Sequence, residues 1–251
     1  MDNLFDFTGR KILVTGASSG IGRGTAIYLS ELGATLVIHG RNEQRLKETY
    51  EALLGNGHIM IPQDLTLLDD FEGIIKEAVS DGKKLSGLVY CAGIAPVTPL
   101  KILTKKKMEM CMDINFYSFV EMVRQYAKKR HNDGGSIVGI SSIFAEHPAK
   151  CQIEYSASKA AMNAAITSMA MELAKKDIRI NGIMPGSVDT AMASAAVEGL
   201  GNYEHAKDVV NRQLLGVAQP VDIAKVCAFL LSEASQIITG RTMYADGGLL
   251  G

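Results

Sequence analysis

Short runs of apolar and β-branched residues alternate with longer stretches of helical periodicity along the chain. The runs Lys11–Thr15, Thr35–His39, His58–Pro62, Gly87–Cys91, Ser136–Ile140, Arg179–Met184 and Thr242–Ala245 predict strands. Between them, the pattern predicts helices over Gly22–Leu32, Arg45–Leu54, Asp69–Asp81, Lys105–Arg130, Tyr155–Lys176 and Val221–Ser232. Strands that alternate with helices predict an α/β fold, a parallel sheet doubly wound with helices on both faces. The strand runs are nearly continuous in apolar residues, as burial on both faces demands. No Gly/Pro/Ser linker and no repeat divides the sequence, so residues 1–251 read as one domain. The least regular region, residues 186–219, is rich in Ala and Gly and holds a helical stretch around Tyr203–Leu214. Its place after a strand marks it as a candidate substrate lid.

Composition narrows the function classes. Hydrophobic residues make up 47% of the 251, ample material for a core, and Lys+Arg 26 against Asp+Glu 27 leaves a net charge of -1. That balance lacks the basic excess of a nucleic-acid binder. No apolar run reaches the roughly 18 residues of a membrane-spanning helix. The N-terminus, with Asp2 and Asp6, does not read as a signal peptide. Cys91, Cys111, Cys151 and Cys227 are scattered, and neither they nor the five histidines show metal-ligand spacing. Reduced cysteines in a cytoplasmic protein, with no metal, are the expectation.

The first strand runs directly into Thr15-Gly16-Ala17-Ser18-Ser19-Gly20-Ile21-Gly22, which opens a helix. A pyrophosphate needs close approach to backbone N–H groups, and glycine removes the side chain that would block it. The pattern has the strand-before, helix-after context of a dinucleotide-binding turn of Rossmann type. The second strand ends Ile38-His39-Gly40-Arg41-Asn42, with no carboxylate for a ribose 2′-hydroxyl. Arg41 can instead meet a 2′-phosphate, which favours NADP(H) and leaves NAD(H) possible. His39 either assists this contact or is an ordinary strand histidine.

Tyr155 and Lys159 lie four apart in Tyr155-Ser156-Ala157-Ser158-Lys159, so a helix turns both to one side. An ammonium beside a phenol lowers its pKa towards the range of a working acid or base. Ser142 follows the predicted strand Ser136–Ile140 and so falls at the carboxyl edge of the sheet. Its hydroxyl could meet a carbonyl there.

Taken together, the sequence resembles the classical short-chain dehydrogenase/reductase family over essentially its full length. The matching pieces are the Thr15–Gly22 loop, Asp64-Leu65, Ala92-Gly93, Asn115, Ser141-Ser142, Tyr155 with Lys159, Pro185-Gly186 with Thr190, and Asp246-Gly247-Gly248. The resemblance implies that Tyr155 is the general acid in reduction. It implies that Lys159 lowers the Tyr155 pKa and holds the nicotinamide ribose, that Ser142 orients the carbonyl, and that Asn115, on a bent helix, holds a water in a proton relay. It implies cofactor contacts from Gly16, Ser18, Ser19, Gly20, Ile21, Gly22, Arg41, Asp64, Leu65, Ala92 and Gly93, and from Pro185, Gly186, Val188 and Thr190 at the carboxamide end. One departure is Tyr90-Cys91-Ala92-Gly93, where the family commonly has asparagines that brace neighbouring strands.

Within the family, the overall look is most similar to 3-oxoacyl-(acyl-carrier-protein) reductases. Sugar, polyol and hydroxysteroid dehydrogenases share much of it, and a non-catalytic cofactor-sensing protein is an alternative of another class. Basic helix ends, Lys128-Lys129-Arg130 and Lys175-Lys176, either dock an acidic carrier protein or complement helix dipoles. The resemblance also implies a homotetramer built through the long helices.

Overall fold

The computed structural model describes residues 4–66, 71–199 and 212–249. Among these residues, seven parallel strands form one sheet in the order β3-β2-β1-β4-β5-β6-β7. They are β1 (Lys11–Thr15), β2 (Thr35–Gly40), β3 (Ile59–Pro62), β4 (Leu85–Tyr90), β5 (Asn132–Ile140), β6 (Ile178–Pro185) and β7 (Thr242–Ala245). The helices are α1 (Gly20–Glu31), α2 (Glu43–Glu51), α3 (Phe71–Ala78), α4 (Lys105–Met112), α5 (Ser118–Tyr126), α6 (Ile153–Leu173), α7 (Ala191–Gly199) and α8 (Pro220–Leu231).

The two faces of the sheet are buried separately, which explains why its strands lack polar alternation. On one face Ile12, Val14, Leu36 and Ile38 pack with Leu29 of α1, Leu46 of α2 and Ile223 and Leu230 of α8. On the other, Leu13, Val37, Leu88 and Ile137 pack with Ile74 of α3, Phe119 of α5 and Met162 and Ile166 of α6. The order of the strands reverses between β1 and β4, so a crevice opens beyond their carboxyl ends.

All seven predicted strands form, with ends shifted by at most a few residues. The helices depart in three places. The stretch predicted as one helix over Lys105–Arg130 is α4, a π turn at Asp113–Tyr117, and α5, which stops at Tyr126. Helix α7 lies inside the region read as irregular. The helical stretch expected around Tyr203–Leu214 falls mainly outside the described residues, and its last three positions are turn and coil. No described helix is long and apolar enough to cross a membrane.

Candidate active site

A cleft of about 1080 Å³ lies at the carboxyl edge of β1, β2, β4, β5 and β6. Its lining runs from Arg41 and Arg45, past the Gly16–Gly22 turn, to Ser142, Tyr155 and Lys159. Ser18, Ser19, Ile21, Asp64, Leu65, Ala92, Gly93, Pro185, Gly186, Val188 and Thr190 line it too. Among the residues expected to bind or react, Asn115 alone stands behind the wall.

At the phosphate end, close packing explains the glycines. Gly16 has φ +66°, and a Cβ there would come within 2.8 Å of the Ala92 nitrogen. A Cβ on Gly22 would lie 2.3 Å from the Gly16 carbonyl oxygen. The third glycine therefore lets α1 start against the turn itself. Ser19 caps α1 without a side-chain hydrogen bond. The first-turn N–H groups thus keep their capacity for an anion. Glycine-lined backbone, an uncapped helix start and the cations Arg41 and Arg45 together fit a dinucleotide with its pyrophosphate on the turn.

At the other end, buried side chains are tied together. Ser142 Oγ accepts from the Phe144 N–H at 3.2 Å, which fixes its rotamer at the end of β5. Lys159 Nζ donates to the Ile140 carbonyl at 2.7 Å and lies 5.8 Å from the Tyr155 ring centre. Burial pulls the Lys159 pKa down to about 8, against smaller opposing effects of Cys111 and Cys91. Burial likewise raises the Tyr155 pKa, which outweighs the lowering from the Ser142 hydroxyl. The sequence predicted a phenol made acidic by its neighbouring ammonium, and here the structure corrects it. Four-residue spacing puts Lys159 on the right side of the helix, but desolvation of the phenolate dominates.

Asn115 sits in the π turn and is buried. Its Nδ2 donates to the Ile94 carbonyl and to Ser158 Oγ, each at 2.9 Å, and its Oδ1 accepts from the Ile94 N–H at 2.9 Å. It therefore clamps the loop after β4 to α6, one residue before Lys159. A Cβ on Gly93 would come within 3.1 Å of Asn115 Oδ1, so this glycine admits the clamp. The bent helix expected around Asn115 takes the form of the π turn, an irregularity often found at functional positions.

The departure at Tyr90-Cys91 has its own bracing. The Tyr90 hydroxyl donates to the Ile114 carbonyl at 2.6 Å, and the N–H groups of Cys91 and Ala92 both reach Thr15 Oγ1 at 3.2 Å. These bonds join β4 to the π turn and to β1.

Several cleft residues escaped the sequence reading. Arg45 follows Arg41 by four positions, a spacing that could have flagged it. Ile94, Pro96, Phe144 and Cys151 line the cleft, with the Phe144 ring centre 6.3 Å from that of Tyr155. Cys151 has φ 62°, a rare conformation for a non-glycine residue, and its carbonyl accepts from the Thr98 N–H at 2.8 Å. Residues Ala191–Glu198 of α7 also line the cleft, and Gln213 bonds to Ser187 N at 2.8 Å and O at 3.2 Å. Of the basic helix ends, Arg130 already pairs with Glu72 at 2.7 Å, and Lys128 shares the same carboxylate at 3.5 Å. Among the described residues, no cluster of side chains could hold a metal ion.

A glycine turn and a serine at the edge of one parallel sheet, with a tyrosine and a lysine on the adjoining α6, mark an oxidoreductase of carbonyl and alcohol groups. A family model described as enoyl-(acyl carrier protein) reductase matches residues 16–250, and the chain belongs to the short-chain dehydrogenase/reductase family. It is 31% identical over 248 residues to a glucose 1-dehydrogenase of Gluconobacter oxydans, covering 97% of this chain and 92% of that protein. It is 32% identical over 249 residues to the 3-oxoacyl-(acyl-carrier-protein) reductase FabG of Rickettsia felis, covering 98% and 99%. A solved short-chain type dehydrogenase/reductase from Mycobacterium ulcerans superposes with a TM-score of 0.87 at 31% identity, covering 97% of this chain and 90% of that one.

Proposed function

We propose that this chain is a single-domain, NADP(H)-dependent reductase that converts a carbonyl to a hydroxyl, with 3-oxoacyl thioesters as its substrate class. One observation carries the reading: a continuous cleft joins Arg41 and Arg45 at one end to Ser142, Tyr155 and Lys159 at the other. Arg41, with no acidic residue at the end of β2, supports the phosphorylated cofactor. The wall of Ile94, Ala95, Pro96, Phe144 and Met192 suits an acyl chain.

When bound, the nicotinamide supplies a hydride to the carbonyl carbon. Ser142 orients the carbonyl through its hydroxyl proton, since its oxygen already accepts from Phe144 N–H. Tyr155 donates the proton that completes the alcohol. A raised pKa keeps this phenol protonated, as an acid must be before it acts. Lys159 holds the ribose and supplies positive charge as the phenolate forms. Asn115 keeps the loop after β4 and helix α6 in register, the role its side-chain bonds support beside that of holding a relay water. Solution as a cytoplasmic homotetramer through α4, α5 and α6 belongs to the same proposal, and so does a carrier-linked form of the substrate.

NADPH oxidation with acetoacetyl-CoA and with a carrier-linked 3-oxoacyl thioester tests this directly. Turnover of either supports it, and no turnover of both removes the substrate class. Arg41→Ala is expected to lower NADPH affinity about tenfold and leave NADH affinity unchanged. A second reading, a sugar or polyol dehydrogenase, is favoured by the comparable identity to a glucose 1-dehydrogenase. Oxidation of aldoses with NADP+ or NAD+ would select it. Gel filtration at the mass of one chain would contradict the tetramer.

A further inference from the structure

His39, the last residue but one of β2, is a buried imidazole with 1% of its surface exposed, yet it forms part of the cleft wall. Neither ring nitrogen closes a hydrogen bond of acceptable geometry within the described residues. A buried polar group of this kind costs stability unless something satisfies it. In register it lies beside Thr15 of β1 and Ile61 of β3, neither of which is charged. The charged groups that share its end of the cleft are Arg41 on the loop after β2, Arg45 on α2 and Asp64 on the loop after β3, and Ser18 of the glycine turn is the nearby neutral one.

We propose that His39 is a cofactor-specificity residue: its imidazole takes up a proton when a ribose 2′-phosphate enters the cleft, and so strengthens selection of NADP(H) over NAD(H) as pH falls. The proposal rests on the NADP(H) reading above and adds a proton to it.

The physical case has three parts. Burial holds the ring neutral in the free chain and pulls its pKa down to about 4, with Asp64 and the backbone of Gln63 opposing. A 2′-phosphate at that end of the cleft brings about two negative charges, which act on the imidazole in the same direction as Asp64 and add to it. Coulombic coupling in a poorly solvated wall acts across several ångströms and needs no direct contact. NAD(H) lacks that phosphate and leaves the field as it was. The proton comes from solvent, and no covalent step is involved.

The test is isothermal titration of the wild-type chain with NADP+ and NAD+ at pH 6.5, in two buffers of different ionisation enthalpy, beside His39→Gln. Wild type is expected to take up roughly half a proton more per NADP+ than His39→Gln, and the same number per NAD+. Its affinity for NADP+ relative to NAD+ is expected to rise roughly threefold more than that of the variant between pH 7.5 and 6.0. The ionisation of the 2′-phosphate itself is common to both proteins and cancels in the comparison. Normal NADP+ binding with equal proton counts overturns this proposal alone. Wild type that fails to bind NADP+ overturns it together with the cofactor assignment. If His39→Gln does not fold, the NMR titration of the His39 ring in the wild type reads the same event. A midpoint higher with NADP+ than with NAD+ supports the proposal, and equal midpoints overturn it.

Discussion

The two ends of the cleft are built on opposite principles. The proposed phosphate end is shaped by what its residues lack: Gly16 and Gly22 have no Cβ, and Ser19 leaves α1 without a side-chain cap. The proposed proton-transfer end is shaped by buried side chains held by hydrogen bonds: Lys159 on the Ile140 carbonyl, Asn115 on Ile94 and Ser158, Ser142 on Phe144. The difference sets how each end should fail. Adding atoms should break the first, and removing them should break the second.

The largest effect is expected from Lys159→Met. Loss of the buried ammonium should lower kcat by about 10²- to 10⁴-fold. The same change should raise thermal stability. In the folded chain the Lys159 pKa is about 8, below the 10.5 of a free lysine. The unfolded state then binds the proton more tightly, and the penalty is fully present below pH 8 and fades as pH rises to 10.5. Removing the charge should return up to about 3 kcal/mol at pH 7, less what the bond to Ile140 contributed. A thermal melt beside the assay reads both signs, and a Lys159→Met protein that is both inactive and less stable would count against the desolvation argument.

Next is Gly22→Ala. Its methyl group would meet the Gly16 carbonyl at 2.3 Å, so either the turn or the start of α1 must move. We expect a loss of about 1–3 kcal/mol of stability and at least tenfold in nucleotide affinity. Denaturation and fluorescence titration check this, and unchanged nucleotide affinity would contradict the close-packed turn. Asn115→Ala should cost about 1–3 kcal/mol, because Ile94 N–H and O lose their Asn115 partner and Ser158 Oγ loses one of its bonds. Hydrogen exchange at Ile94 should rise, and an unchanged rate there would remove Asn115 as the clamp.

A subtler effect concerns pH. The folded pKa of His39, about 4, lies below the ordinary 6.5. Its contribution to stability is therefore complete above pH 6.5 and is lost as pH falls towards 4. A chain carrying His39→Gln should lose up to about 3 kcal/mol less than the wild type across that window, read from urea midpoints. The smallest effect is expected from Arg130→Ala. Its bond with Glu72 is exposed, so stability should change by less than about 0.5 kcal/mol, and turnover of a carrier-linked substrate should be unaffected. A marked loss of that turnover would restore the basic helix end as a docking site.

Much of this layout is legible in the sequence, for reasons that differ between the two ends. Strands buried on both faces announce themselves as apolar runs, and so every predicted strand formed. The Gly16–Gly22 turn is legible because a glycine pattern between strand and helix has few other uses. Tyr155, Lys159 and Ser142 are legible through their spacing. The π turn at Asp113–Tyr117 is not, since it is a change in hydrogen-bond register inside continuous helical periodicity. Nor is α7, whose Ala-rich sequence gives no apolar stripe. The direction of the Tyr155 shift is not legible, since spacing reports which groups are near and says nothing of desolvation. The sequence leaves His39 open between assisting the cofactor contact and being an ordinary strand residue, because burial of its ring in the cleft wall is visible only in the fold.

The most direct measurement is single-turnover reduction by Tyr155→Phe, run beside NADPH binding to the same protein. A phenol that serves as the acid predicts NADPH affinity within about twofold of wild type and a hydride-transfer step slowed by at least about 10²-fold. Hydride transfer at the wild-type rate in that variant would contradict the assignment of Tyr155 as the proton donor.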